Sequence, residues 1–149
     1  MSLPVFLILL ILTCGYAGVR GGGPERWAAS LLVAAYALGL PVHLALRGAG
    51  YDTALLGGAA IDVVLLVALI WLAHRSTRYW PLWLAGWQFA AVVAHLAKML
   101  DPTMQATGYA VQAQVWGYPM VIALAIGAWR HCRRRRAGDA DPDWKSLLV

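Results

Sequence analysis

The chain has 149 residues, of which 61% are hydrophobic and 13% charged, with a formal charge of +5 and a mean hydropathy of +0.64. A soluble domain carries roughly 45–50% apolar and about 25% charged residues, so the composition excludes a disordered chain, a disulfide-stapled secreted domain and a soluble nucleic-acid module. The positive charge is not spread over a surface: Arg130, Arg133, Arg134, Arg135 and Arg136 stand together behind the last apolar run.

About 20 apolar residues in helical form cross a ~30 Å hydrocarbon core. Five stretches meet or approach that length: 3–19, 27–46, 54–73, 79–100 and 108–129. The segments RGGGPER, RGAGYD, HRSTR and the region around KMLDPTMQATG separate them, each rich in charge, Gly or Pro as turns are. Helices are the expected spanning element, because lipid leaves no partner for exposed backbone groups. The fold expected is all-α, an integral membrane bundle of five transmembrane helices over residues 1–137, with 138–149 a short cytoplasmic tail.

Orientation follows from Lys and Arg placement. The arginine run from Arg130 to Arg136, the pair Arg75 and Arg78, and the pair Arg20 and Arg26 all fall on one side, whereas Arg47 and Lys98 fall on the other beside Asp52 and Asp101. The pattern predicts N-out, C-in topology in a bacterial-type cytoplasmic (inner) membrane, with the arginine run as cytoplasmic anchor. A cleaved signal peptide over 1–19 fits less well, since the first charge, Arg20, follows the apolar run instead of preceding it. Asp139, Asp141 and Asp143 are expected to stay solvated in the tail. His74 and His131, placed at the inner face, are expected only to reinforce its positive charge.

Ionisable groups inside apolar spans are costly and face a bundle interior. His43, Asp62, His95 and Lys98 are such positions, and Gln112 joins them. From a rise of ~1.5 Å per residue, His43 lies at roughly 5 Å depth, Gln112 at about 6 Å, His95 at about 8 Å and Asp62 near 12 Å. Four helices thereby contribute polar groups to one outer layer. Helical phase agrees: Gln88, Ala91, His95 and Lys98 share one face of the fourth span, and Gly58 stacks one turn from Asp62. This cluster reads either as a packing clasp or as a ligand or proton site. His43 and His95 are the candidate ligands of a b-type haem held by two imidazoles. With Asp62 they are also ligand types for Zn²⁺ or Cu.

Trp71, Tyr79, Trp80 and Trp83 bracket the HRSTR turn, and Trp27 and Trp129 lie at inner ends, the pattern of an interfacial belt. Pro41 and Pro119 fall inside spans, with Pro119 expected to kink the fifth near its middle. Cys14 and Cys132 form no CxxC pair. Catalytic signatures (HExxH, GxSxG, Walker A) do not occur, so no catalytic residue is assigned. The function expected is a non-enzymatic accessory or structural subunit of a membrane assembly. Its partners would be the lipid bilayer and a membrane protein or second copy, not nucleic acid. The alternatives are a haem-, metal- or quinone-binding redox protein using the His/Asp layer, and a proton-conducting protein.

Overall fold

The computed structural model describes residues 3–46, 51–101, 115–138 and 142–145. Among the described residues five helices are named: α1 Leu3–Arg20, α2 Gly23–Leu46, α3 Tyr51–Arg75, α4 Trp80–Leu100 and α5 Gly117–Ala137. No strand is found among the described residues beyond an isolated bridge between Ser76 and Trp144. Neighbours in the chain pack against one another, α1 on α2, α2 on α3, α3 on α4 and α4 on α5, and α5 returns to α1. The helices close a ring. With five elements, the closing α1–α5 pair is parallel while the other four are antiparallel.

Two connections are tight. Gly21 and Gly22 alone join α1 to α2, and residues 76–79 join α3 to α4, so both turns and the C-terminal end of α5 lie at one end of the bundle. Gly22 is the N-cap of α2, its carbonyl accepting from Arg26 N at 3.1 Å. Pro24 at the second helical position forfeits no bond, since first-turn N–H groups have no intrahelical partner. α4 likewise starts with a proline in its first turn. α5 ends at Gly138, whose φ of 77° is the left-handed conformation that terminates helices, with its N–H on the carbonyls of Arg134 and Arg135.

The first four helices match the expected stretches to within a few residues. The fifth does not. Expected over 108–129, its described helix spans Gly117–Ala137, and 102–114 lie outside the described residues. The arginine run is therefore the last two turns of α5 and not an irregular tail. Arginine is a good helix former, and positive charge at a helix C-terminus complements its dipole. Pro119 sits in the first turn of α5, three residues after a turn at Trp116 that separates this helix from helical Val115, the kind of interruption a proline produces.

The core fills the half of the ring nearest the two turns. Leu10, Cys14 and Ala17 from α1 meet Ala28 and Leu32 from α2, Leu69 and Leu72 from α3, Leu84 from α4, and Leu124 and Ala128 from α5. Alanines where α1, α2 and α5 approach let the backbones come close. The outer faces are also apolar. Ile11 and Leu12, Val33 and Leu38, Val64 and Val67, Phe89 and Leu96, and Ile122 and Ile126 are all exposed. One stretch, Leu55–Arg75, is long and apolar enough to cross a membrane, and Pro4–Arg20 is a shorter apolar helix.

Two helix-interior glycines meet opposite surroundings. A Cβ on Gly127 would lie 2.9 Å from the Trp80 ring, whereas one on Gly86 would meet nothing within 4 Å. Gly86→Ala is expected to stabilise the protein by about 0.5–1 kcal/mol through helix propensity. Gly127→Ala is expected to destabilise it by about 1–3 kcal/mol, because overpacking against a tryptophan outweighs that gain. Thermal unfolding of the two variants in detergent checks both signs.

Candidate functional site

Two polar groups sit inside the ring, at opposite ends of the leucine core. The first joins α3 to α4. Asp62 Oδ2 lies 2.7 Å from His95 Nε2. Gln88 Nε2 donates to Asp62 Oδ1 at 3.0 Å and to its main-chain carbonyl at 3.1 Å. Gln88 and His95, seven residues apart, reach the same aspartate because two helical turns return to one face. Both are buried, as is Lys98 one turn beyond His95. The Asp62 side chain keeps 27% exposure and lines a half-open cavity between the helices.

The cavity has a volume of about 430 Å³ and takes its walls from all five helices. Phe6, Leu10, Leu32, Ile61, Leu65 and Val121 make it apolar; Asp62 and Gln88 are its charged and amide groups. Small residues line it as well: Ala35 and Gly39 on α2, Gly58 on α3 and Ala91 on α4, while Gly117 on α5 makes room for the Phe6 ring, 2.9 Å from where a Cβ would lie. A Cβ on Gly39 would meet nothing within 4 Å, and one on Gly58 would meet His95 Cε1 at 3.5 Å.

Of the five residues expected to cluster, the structure joins Asp62 to His95 and places Lys98 on the same buried face of α4. The His43 side chain and Gln112 lie outside the described residues. Gln88, which the sequence places only on the phase line, is the second ligand of the Asp62 carboxylate. The His95 nitrogen engaged with Asp62 is Nε2, so an iron or zinc at that atom would displace the aspartate.

The second group lies at the turn end and was not anticipated. Its centre is Arg78, in the α3–α4 turn. One guanidinium nitrogen, Nη1, is 3.2 Å from Glu25 Oε1; the other, Nη2, donates to Asp143 Oδ1 at 2.7 Å and to His131 Nδ1 at 3.0 Å. Since a guanidinium only donates, Nδ1 of His131 is the unprotonated nitrogen. Glu25 is wholly buried and also accepts from Trp80 Nε1 at 3.3 Å and from Gly22 N at 3.1 Å. The Gly22 bond is half of a capping box, the residue at the third helical position reaching back to the N-cap N–H.

Asp143 fills the remaining place at the start of α2. Gly23 N donates to its Oδ2 at 2.8 Å. The segment 142–145 is thereby strapped across both turns: Lys145 N donates to Arg75 O at 2.9 Å, Thr77 N to Asp143 O at 3.4 Å, and the Thr77 hydroxyl to Pro142 O. The two glycines are needed for this. A Cβ on Gly22 would lie 2.5 Å from Asp143 Oδ1, and one on Gly23 would lie 2.9 Å from the Trp144 ring. Asp143 is thus docked instead of solvated. His131, 5% exposed, is a buried acceptor and not a contributor of surface charge.

Glu25, His131 and Asp143 bring three ligand atoms within 4.8 Å of one another, a donor set suited to a divalent cation. Arg78 already supplies the positive charge there, within 3.2 Å of an atom of each of the three. The group is an ion-paired clasp.

Burial pushes the Glu25 carboxyl above its ordinary range, opposed mainly by the Arg78 charge. A group whose pKa is raised on folding contributes stability below its unfolded value and loses it as pH rises through the folded one. The stability owed to Glu25 should therefore fall as pH rises from the ordinary glutamate value through the raised one, and Glu25→Gln should flatten that segment of an unfolding-versus-pH profile. Asp143→Ala removes bonds to Gly23 and Arg78; a cost of about 1–3 kcal/mol and faster carboxypeptidase digestion of the C-terminal residues are expected. Gly22→Ala should speed the same digestion without touching a charge. Among known proteins, no protein-family model, no curated protein and no solved structure matches the chain, so its function is read from these two groups and the cavity.

Proposed function

We propose that the chain is a multi-pass integral membrane protein, five spans with N-out, C-in topology in a bacterial-type cytoplasmic membrane, serving as a non-catalytic accessory subunit of a membrane assembly. The observation that carries this reading is the direction of the side chains. Exposed Ile11, Leu38, Val64, Val67, Leu96 and Ile126 make every helix apolar on its outer face, while Asp62, Gln88, His95 and Lys98, on the same stretches, turn inward. A water-soluble bundle has the reverse arrangement; a bundle in hydrocarbon has this one.

Aromatic side chains at the turn end support the level of the inner interface. Trp27 and Trp71 pack edge to face at 5.9 Å. Arg75 lies over Trp71 at 5.8 Å and Arg133 over Trp129 at 5.7 Å. Rings that are half apolar and half polar anchor helices at headgroup depth, and arginines there meet anionic lipid. The last two turns of α5 then project about 12 Å beyond that level at ~1.5 Å per residue. With turns this short, little chain is left outside the bilayer to host chemistry, which favours a supporting role.

Two measurements test the reading. The expressed protein should stay with membranes through alkaline carbonate extraction, and a C-terminal fluorescent fusion should fluoresce while an alkaline-phosphatase fusion at the same site stays silent. Release by carbonate, or an active phosphatase fusion, overturns the topology. Mild extraction from native membranes should recover the chain in fixed stoichiometry with another membrane protein; recovery of the chain alone overturns the accessory role.

A further inference from the structure

We infer that the cavity between the helices is a binding site for an aromatic alcohol with an apolar body, of the hydroquinone class, whose hydroxyl donates to the Asp62 carboxylate. The pocket between the helices has a volume of about 430 Å³ and draws its lining from all five, and concave apolar pockets of this size are those that hold small molecules. The walls fix the class of occupant. They are mostly apolar, with the Asp62 carboxylate, the Gln88 amide and the phenol side chains of Tyr36 and Tyr118 as their polar groups, so the occupant is largely apolar and carries a polar end.

The sign of that polar end follows from the hydrogen-bond count. Gln88 gives its amide hydrogens to Asp62 Oδ1 and to the Asp62 carbonyl. His95 Nε2 faces Oδ2. Gln88 and His95 are thus both directed at Asp62 itself, while the carboxylate oxygens, with about four lone-pair sites, retain capacity toward the cavity. A carbonyl or ether entering there would meet acceptor against acceptor, whereas a hydroxyl finds a partner. His95 acts through Asp62 and is a positioning residue, holding the carboxylate by one oxygen so that the other edge faces inward.

Two further features favour an aromatic ring. Phe6 sits between Tyr36 and Tyr118, 6.2 Å from the first and 5.2 Å from the second in an edge-on arrangement, and all three line the cavity. Such rims accept a further ring in the same geometry. At the start of α5, the Trp116 indole N–H is buried with no acceptor, on the helix face that Met120, one turn on, presents to the cavity. A hydroxyl oxygen or second phenolic group supplies what that donor lacks.

The inference goes beyond the accessory reading and is tested apart from it, since binding is read on the purified chain in detergent. Decylubiquinol, kept anaerobic, is titrated against intrinsic tryptophan and tyrosine fluorescence, in parallel with decylubiquinone and dodecane. One quinol per chain is expected, bound about tenfold or more tighter than the quinone, as one hydrogen bond to a charged acceptor implies. Asp62→Leu should erase that preference and Asp62→Asn, which keeps one acceptor oxygen, should retain part of it. Gly39→Phe, entering open space at the cavity wall, should block binding while the helical circular dichroism and unfolding temperature stay near wild type. Equal binding of quinol and quinone, displacement by dodecane at equal concentration, or an unchanged quinol preference in Asp62→Leu overturns the proposal.

Discussion

The turn end of the molecule depends on the burial of Arg78. Taking a guanidinium and a carboxylate out of water costs several kcal/mol per ion, and an ion pair alone does not recover that. Here several partners together offset that cost. Glu25 accepts from Trp80 and the Gly22 amide and is ion-paired with Arg78, whose Nη2 also donates to Asp143 and His131. These partners come from α2, α5, both turns and the C-terminal segment, so one side chain ties parts of the chain that are distant in sequence. In a ring of helices with apolar surfaces on both sides, side-chain packing is weakly directional. A charge that is stable in only one arrangement supplies the register that the leucines and alanines do not.

Above that clasp, the bundle changes character along its axis. Next to the turns, Leu69, Leu72, Leu84 and Leu124 are fully buried and the alanines of α1, α2 and α5 bring backbones together. Farther along, the same strategy of small residues has the opposite outcome. Gly39 leaves open space where no neighbour lies within 4 Å of a Cβ, Gly58 and Ala91 line the same region, and a cavity opens. Small residues close a helix pair when they face another small residue or a flat aliphatic surface. Around the middle of a five-membered ring they leave the centre unfilled.

Much of the helical framework was legible because it rests on composition: long apolar stretches, interrupted by Gly, Pro and charge, have few alternatives to helices. Asp62 and His95 were legible for the same reason, as titratable groups amid apolar neighbours whose phase points inward. Gln88 was visible on that phase line, but a neutral amide carries less cost and draws less notice than a histidine. The fifth helix runs past its expected end at 129 because hydropathy ends at Trp129 whereas helix propensity does not: arginines continue the helix until Gly138 turns left-handed. The clasp was missed for a different reason. Glu25 lies 53 to 118 residues from Arg78, His131 and Asp143, and charge in a turn reads as solvated unless something marks it as buried. One mark existed, since Gly22 followed three residues later by Glu25 has capping-box spacing and fixes the carboxylate against the start of α2. Nothing local to Arg78, His131 or Asp143 announces that they converge on it.

The two polar groups differ in how fully they are satisfied, and that difference separates their roles. At the turn end every described carboxylate oxygen of Glu25 and Asp143 accepts from a named donor, and the C-terminal segment fills the last place on the α2 N-terminus. A network in that state gains nothing from an additional molecule and serves rigidity. The Asp62 group is held just as firmly from behind, by Gln88 and His95, yet its front borders open volume lined by apolar side chains. A fixed acceptor at the edge of an unfilled apolar space is poised to select by hydrogen-bond sign, and the rigidity supplied by the clasp at the opposite end of the leucine core helps to keep that edge in place.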